Sequence, residues 1–180
     1  MPDPTPDAER RQFLKSALAL AAGGAATVPP ILAGAAVVLD PLRRGAAVGA
    51  APVKVTTLDA LPADGVPRKF PIIAARRDAW TGQPAAPVGA VYLRRTGERE
   101  VTALNVVCPH AGCFVDWQSE PKRFFCPCHN SSFTVEGAIS EASSPSPRAM
   151  DALEVEVRDG GEVWVKFQNF LRGVPGKVPV

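Results

Sequence analysis

All four cysteines and both histidines of this 180-residue chain lie between positions 108 and 129. They fall in two boxes, Cys108-Pro109-His110-Ala111-Gly112-Cys113 and Cys126-Pro127-Cys128-His129-Asn130-Ser131. Each box offers one Cys and one His at metal-ligand spacing, C-x-H in the first and C-x-x-H in the second, and Cys113 and Cys128 remain as a pair. Structural cysteines and core histidines scattered along a chain would not concentrate in this way. A zinc site takes a Cys2His2 set but leaves two cysteines without a task. A [2Fe-2S] centre with two thiolates on one iron and two imidazoles on the other takes the same four ligands.

The boxes resemble the Rieske signature, C-x-H-x-G-C followed by C-x-C-H-x-S. That resemblance implies Cys108 and Cys126 on one iron, His110 and His129 on the other, and a disulfide between Cys113 and Cys128. Ser131 matches a serine that donates a hydrogen bond to a bridging sulfide in Rieske proteins of the cytochrome bc type. Two positions on, where that family often has a tyrosine bonded to a ligand sulfur, this chain has Phe133. Loss of a hydrogen bond to sulfur destabilises the electron-rich reduced state, so a lower potential is expected, which favours menaquinol over ubiquinol as donor. Ala111 stands where leucine is common, whereas Gly112, Phe125, Phe133 and Gly137 sit where the family has small or aromatic residues. Ser144-Pro145-Ser146-Pro147 resembles the proline loop that covers the cluster from a third side.

Neutral imidazole in place of thiolate removes two negative charges from the iron that accepts the electron, which raises the potential above that of an all-cysteine cluster. Each ligating ring keeps one nitrogen free, and an added electron makes that nitrogen a better proton acceptor. Electron and proton uptake are thereby coupled, and a quinol, which must lose both, is the natural donor. The resemblance places His129, with His110, where the quinol is met.

The amino terminus carries a second signal. Glu9-Arg10-Arg11-Gln12-Phe13-Leu14-Lys15 resembles the twin-arginine export motif, and residues 16–39 after it carry no charge. About 24 helical residues at ~1.5 Å each reach about 36 Å, enough for a hydrocarbon layer of roughly 30 Å. Export of a folded protein suits a cargo whose metal must be inserted first, and a disulfide persists outside a reducing cytosol. Gly23-Gly24 and Pro29-Pro30 weaken the run as a helix, and small residues near Val48-Gly49-Ala50 could serve a peptidase. The length of the run and its Asp40-Pro41-Leu42-Arg43-Arg44 exit favour a retained anchor. Arg10, Arg11 and Lys15 before the run nearly balance Arg43 and Arg44 after it, so the export motif sets the orientation, with the N terminus in the bacterial cytoplasm and the cluster domain on the outer, periplasmic face.

The expected organisation is a cytoplasmic segment over 1–15, a single transmembrane anchor over 16–39, a flexible hinge over 40–52, a Rieske domain over 53–170 with cluster loops at about 105–147, and a tail over 171–180. Val53–Thr57, Lys69–Ala74, Val88–Arg95 and Glu100–Val107 read as strands between Pro and Gly punctuation, and Gly82 to Pro87 as a proline-containing loop. Leu153, Val155 and Val157 alternate with charged residues before Asp159-Gly160-Gly161 turns the chain into Val163, Val165 and Phe167, a clear hairpin. The fold class is all-β, antiparallel sheets with an inserted cluster subdomain, in agreement with the Rieske fold. Trp117 and Trp164 are expected in the core, and the tail from Gln168 on the domain itself.

Net charge is +2, with 20 basic and 18 acidic residues and no basic stripe, so no nucleic-acid partner is expected. A Rieske oxygenase needs a second iron held by two histidines and a carboxylate, and no histidine is left for one. The resemblance implies the redox subunit of a quinol:cytochrome c oxidoreductase, with a b-type cytochrome, a c-type or f-type cytochrome and quinol as partners. The alternative is the small Rieske subunit of another exported oxidoreductase, such as arsenite oxidase.

Overall fold

The structure is a computed structural model describing residues 6–43, 51–77 and 82–180. The chain divides into two compact units, residues 1–46 and 47–180. Most of the expected hinge, residues 44–50, lies outside the described residues, as does the small-residue stretch considered for cleavage.

Helix α1 runs from Pro6 to Arg43, longer at both ends than the uncharged run. Pro6 opens it, where a missing N–H costs nothing, and Asp7 and Glu9 complement the N-terminal end of the helix dipole. The helix continues through Gly23-Gly24 and Pro29-Pro30, which were expected to weaken it. Two prolines remove two backbone donors, but the surrounding alanines and leucines are strong helix formers, and Thr27 Oγ1 donates to the Gly23 carbonyl at 2.8 Å. Phe13, Leu18, Leu20, Ile31, Leu32, Val37 and Val38 are exposed on it. No residue of the apolar stretch is buried by protein, and the helix is long and apolar enough to cross a membrane.

The second unit is built from β1 (Val53–Thr57), β2 (Arg68–Arg77), β3 (Gly82–Arg95), β4 (Val101–Asn105), β5 (Asp116–Gln118), β6 (Arg123–Cys126), β7 (Ser131–Phe133), β8 (Ala152–Val157) and β9 (Glu162–Lys166). Six strands form one antiparallel sheet in the order β1-β9-β8-β4-β3-β2, and β5-β6-β7 form a second. The end strands β1 and β2 of the larger sheet also touch.

Gly82–Pro87 is the first half of β3 rather than a loop, and pairs with β2 from Gly82↔Arg77 to Pro87↔Ile73. The register shifts between Ile72 and Ile73 and again between Ala74 and Arg76, opposite the two prolines of this segment. Bulges accommodate residues that cannot donate to the ladder, so proline here marks an irregular strand.

Strand alternation sends β3 and β4 into two cores. Val91, Leu93 and Ala103 join Leu58, Leu61, Ile72, Leu153, Val163, Val165, Phe167 and Phe170 inside the larger sheet. Tyr92, Leu104 and Val106 face the smaller sheet and meet Val115, Phe124, Phe133, Met150, Cys108 and Cys126. Tyr92 ties the layers together: its hydroxyl donates to the Val115 carbonyl at 3.2 Å and accepts from the Trp117 amide at 3.1 Å. Trp117 packs edge-on to Phe124 with ring centres 5.0 Å apart. Trp164, expected in the core, instead lies half-buried on the outer side, with the Arg158 guanidinium 4.1 Å from its ring centre and Nε1 donating to Glu162.

Candidate metal centre

The first box is a tight loop at the end of β4. The Val107–Phe114 bridge and the Val115 amide bonded to the Val106 carbonyl close its neck. Within it the Cys108 amide donates to Cys113 O at 2.8 Å and the Gly112 amide to Cys108 O at 3.0 Å. Gly112 has φ of +86°, a conformation that side chains strain. The second box is the turn between β6 and β7, with Cys126 paired to Ser131 and Asn130 at φ of +61°, which asparagine tolerates better than most residues.

A Cys113–Cys128 disulfide joins the two loops, with Cα atoms 6.6 Å apart. Cys108 and Cys126 are free thiols, 0% and 2% exposed, at the end of the second core. His110 is half-buried and His129 exposed, their rings edge to face with centres 4.8 Å apart. Burial pushes the Cys126 thiol up, and neighbouring Cys108 adds to this, while the backbone amides of Cys128 and His129 oppose it. Those amides aim partial positive charge at the sulfur, so a metal cation that displaces the proton finds a supported thiolate. The sulfurs of Cys113, Cys126 and Cys128 lie within 4.8 Å of one another, but disulfide sulfurs make poor ligands and that trio is no ligand set.

Ser131 is fully buried and its Oγ has no hydrogen-bond partner among the described residues. An orphaned hydroxyl beside two buried thiols calls for an acceptor that protein atoms do not supply. Two thiols, two adjoining imidazoles and one unpaired donor fit a mixed-ligand [2Fe-2S] cluster, whose sulfides accept hydrogen bonds.

Three supports brace these loops, and of their parts Asn105 and the Arg148–Asp151 pair were not read from the sequence. Asn105, 1% exposed, accepts from the Val107 amide at 3.0 Å and donates to Gln168 O at 2.9 Å and Asn169 Oδ1 at 3.2 Å, pinning the entry of the first box to the C-terminal segment. A polar residue inside the apolar run from Val101 to Val107 was the available signal. The segment Ser144–Pro147 lies along β7, with Ser144 Oγ accepting from the Ser132 amide at 3.4 Å, and Ser146 Oγ donates to Arg148 O at 2.7 Å. Arg148 then grips Asp151 through two bonds of 3.0 and 2.9 Å and reaches Val174 O at 2.6 Å.

The third support is the tail over 171–180, which packs on the domain: the Gly173 amide donates to Pro109 O at 2.8 Å, inside the first box. Lys177 Nζ donates to the Ala152 carbonyl and lies over the Phe170 ring.

Residues 68–158 match the Rieske [2Fe-2S] domain family. The chain is 32% identical to the menaquinol:cytochrome c reductase iron-sulfur subunit of Geobacillus thermodenitrificans, over 84% of this chain and 87% of that protein. It is 31% identical to the subunit of the same name from Bacillus subtilis strain 168, over 86% of this chain and 89% of that one. Among solved structures it is similar to the cyanobacterial plasma membrane Rieske protein PetC3 from Synechocystis PCC 6803, at 27% identity and a TM-score of 0.45, covering 64% of this chain and 99% of that chain. With a family match across half its length and relatives aligned over most of theirs, this chain belongs to the Rieske [2Fe-2S] iron-sulfur proteins of the cytochrome bc type.

Proposed function

We propose that this chain is the electron-transfer subunit of a bc-type complex that oxidises menaquinol. Cys108 and Cys126, with His110 and His129, would hold the cluster as its two thiolate and two imidazole ligands. The single observation that carries the reading is the pair of adjoining imidazoles, one exposed and one half-buried, on the same two loops as the two buried thiols. When bound, the cluster supplies a one-electron acceptor of raised potential.

The chain's own residues do the rest. His129 presents a ring nitrogen to solvent, placed to accept a hydrogen bond and then a proton from a quinol hydroxyl. The disulfide and the segment around Ser144–Pro147 brace the two loops that carry the ligands, and the second core keeps water from Cys108 and Cys126. The acceptor of the electron is a c-type or f-type haem. A menaquinol donor is supported by Phe133 and by the likeness to the two menaquinol:cytochrome c reductase subunits. The partners follow the same reading: a b-type cytochrome that forms the quinol site, and a membrane crossed once by α1. Arg10 and Arg11 direct export by the twin-arginine route, leaving the N terminus in the cytoplasm and the cluster outside.

Two substitutions probe the tuning. Ser131→Ala is expected to lower the midpoint potential while costing the unloaded chain little, because the Oγ has no protein partner to lose. Phe133→Tyr is expected to raise the potential, since the ring lies fully buried in the same core as Cys108 and Cys126 and a hydroxyl there adds a donor to sulfur. Potentiometry reads both; an unmoved potential in Phe133→Tyr would remove the argument from Phe133 to menaquinol.

The whole reading is tested by purification from native membranes, identification of copurifying haem subunits, and low-temperature EPR with and without a quinol-site inhibitor. A b-type cytochrome and an inhibitor-sensitive Rieske signal are expected. Copurification with a molybdenum subunit, or a signal indifferent to the inhibitor, would overturn it.

A further inference from the structure

The tail that closes the first box carries an arginine to which nothing above gives a task. Phe170 is anchored in the first core, and two residues on from Leu171 the Gly173 amide bonds Pro109 O at 2.8 Å. Arg172 is therefore delivered to the loop between Cys108 and Cys113. A Cβ built on Gly112 would lie 2.5 Å from Arg172 Cδ, 2.6 Å from Nε and 2.9 Å from Cζ. The guanidinium end, and not only its stem, rests on the box backbone. One residue along, a Cβ on Gly173 would stand 3.6 Å from the carbonyl oxygen of His110.

Arg68, Arg94, Arg123, Arg148 and Arg158 each face a carboxylate. Arg95 and Arg99 have no carboxylate but donate to backbone carbonyls, whereas no ion pair among the described residues includes Arg172 and its side chain lies on the box backbone. Glycine at 112 serves it twice, by tolerating φ of +86° and by leaving room for the side chain. An unneutralised cation held against the loop that carries His110 is a built feature of the site.

We propose that Arg172 is a positioning and tuning residue that raises the reduction potential of the cluster, an inference that rests on the cluster assignment under Proposed function. Reduction adds one negative charge to the cluster, and a fixed positive charge nearby stabilises that state over the oxidised one. Its effect opposes that of Phe133, which withholds a hydrogen bond to sulfur. Because Arg172 is exposed, salt screens the interaction, so the effect weakens as ionic strength rises.

The test is an equilibrium redox titration of the detergent-solubilised full chain, followed by EPR, at low and high salt. It compares the parent with Arg172→Gln, Arg172→Met and Arg172→Lys. The expected result is a lower midpoint potential in both neutral variants, with g-values unchanged, restored in Arg172→Lys and shrinking as salt is raised. An unmoved potential in a neutral variant that keeps the parent's Rieske spectrum overturns the tuning role and leaves the cluster assignment standing. Loss of the cluster from both neutral variants also overturns it, since Arg172 would then be structural. A parent chain without a Rieske signal overturns the cluster assignment and this inference with it.

Discussion

Replacing His129 with alanine is expected to empty the metal centre while leaving the fold in place. His129 is exposed and belongs to neither core, so the unloaded chain should lose no more than about 0.5 kcal/mol, the usual effect of a surface substitution. The cluster has no such tolerance. Its imidazole-held iron would be left with His110 alone, and no third histidine exists in the chain to replace the lost ligand. Cys113 and Cys128 cannot stand in, because their sulfurs are bonded to each other. Iron and acid-labile sulfide per chain, with visible circular dichroism, measure the outcome: near-complete loss of both is expected. A variant that kept the full spectrum would refute the ligand assignment.

The second large effect lies behind the site. Asp151→Ala should destabilise the domain by about 3–5 kcal/mol, the usual consequence of removing one partner of a buried ion pair. The side chains of Arg148 and Asp151 are 10% and 6% exposed, and two parallel bonds join them. Without the carboxylate, the guanidinium keeps only the Val174 carbonyl as a partner. Such a loss is a large share of the roughly 5–15 kcal/mol that holds a domain together. Replacing both residues by apolar side chains of similar volume, Arg148→Met with Asp151→Leu, should cost much less, because no charge is then stranded. Chemical denaturation of the full chain in detergent compares the variants; a single substitution within 1 kcal/mol of the parent would show that the pair does not brace the loop.

These two residues also mark where the sequence stops being readable. The boxes were legible because metal chemistry restricts residue types and spacing at once, and six residues with no competitors elsewhere leave few assignments. The hairpin of β8 and β9 was legible because Leu153, Val155 and Val157 alternate with charged neighbours around a Gly-Gly turn. Arg148 and Asp151 were not, since an i,i+3 pair of opposite charge reads as a solvated surface until burial is known. The same holds for Arg172, which lies against Gly112, sixty residues away in sequence.

Strand prolines misled for a physical reason. Proline breaks a regular ladder, but β2 and β3 are joined by a long hairpin whose bulges accept Pro84 and Pro87. In α1 the same residues failed to stop the helix, because the flanking alanines and leucines have strong propensity of their own. The three-residue strands β5 and β7 are too short for alternation to announce them, and their pairing is set by Phe124, Phe133 and Val115 packing beneath the boxes. Trp164 was misplaced because its strand alternates: Val163 and Val165 point inward, which sends the tryptophan between them to the outer face.

The central claim is the mixed ligand set, two cysteines and two histidines on one [2Fe-2S] cluster. Pulsed EPR on the reduced full chain, reading nitrogen couplings to the cluster spin, tests it most directly. Two directly coordinated nitrogens are predicted, lost together with the cluster in His129→Ala and replaced by nitrogen-15 couplings when the chain is grown with labelled histidine. A reduced cluster with no strongly coupled nitrogen would mean four thiolate ligands, which the Cys113–Cys128 disulfide forbids, and would contradict the account at its root.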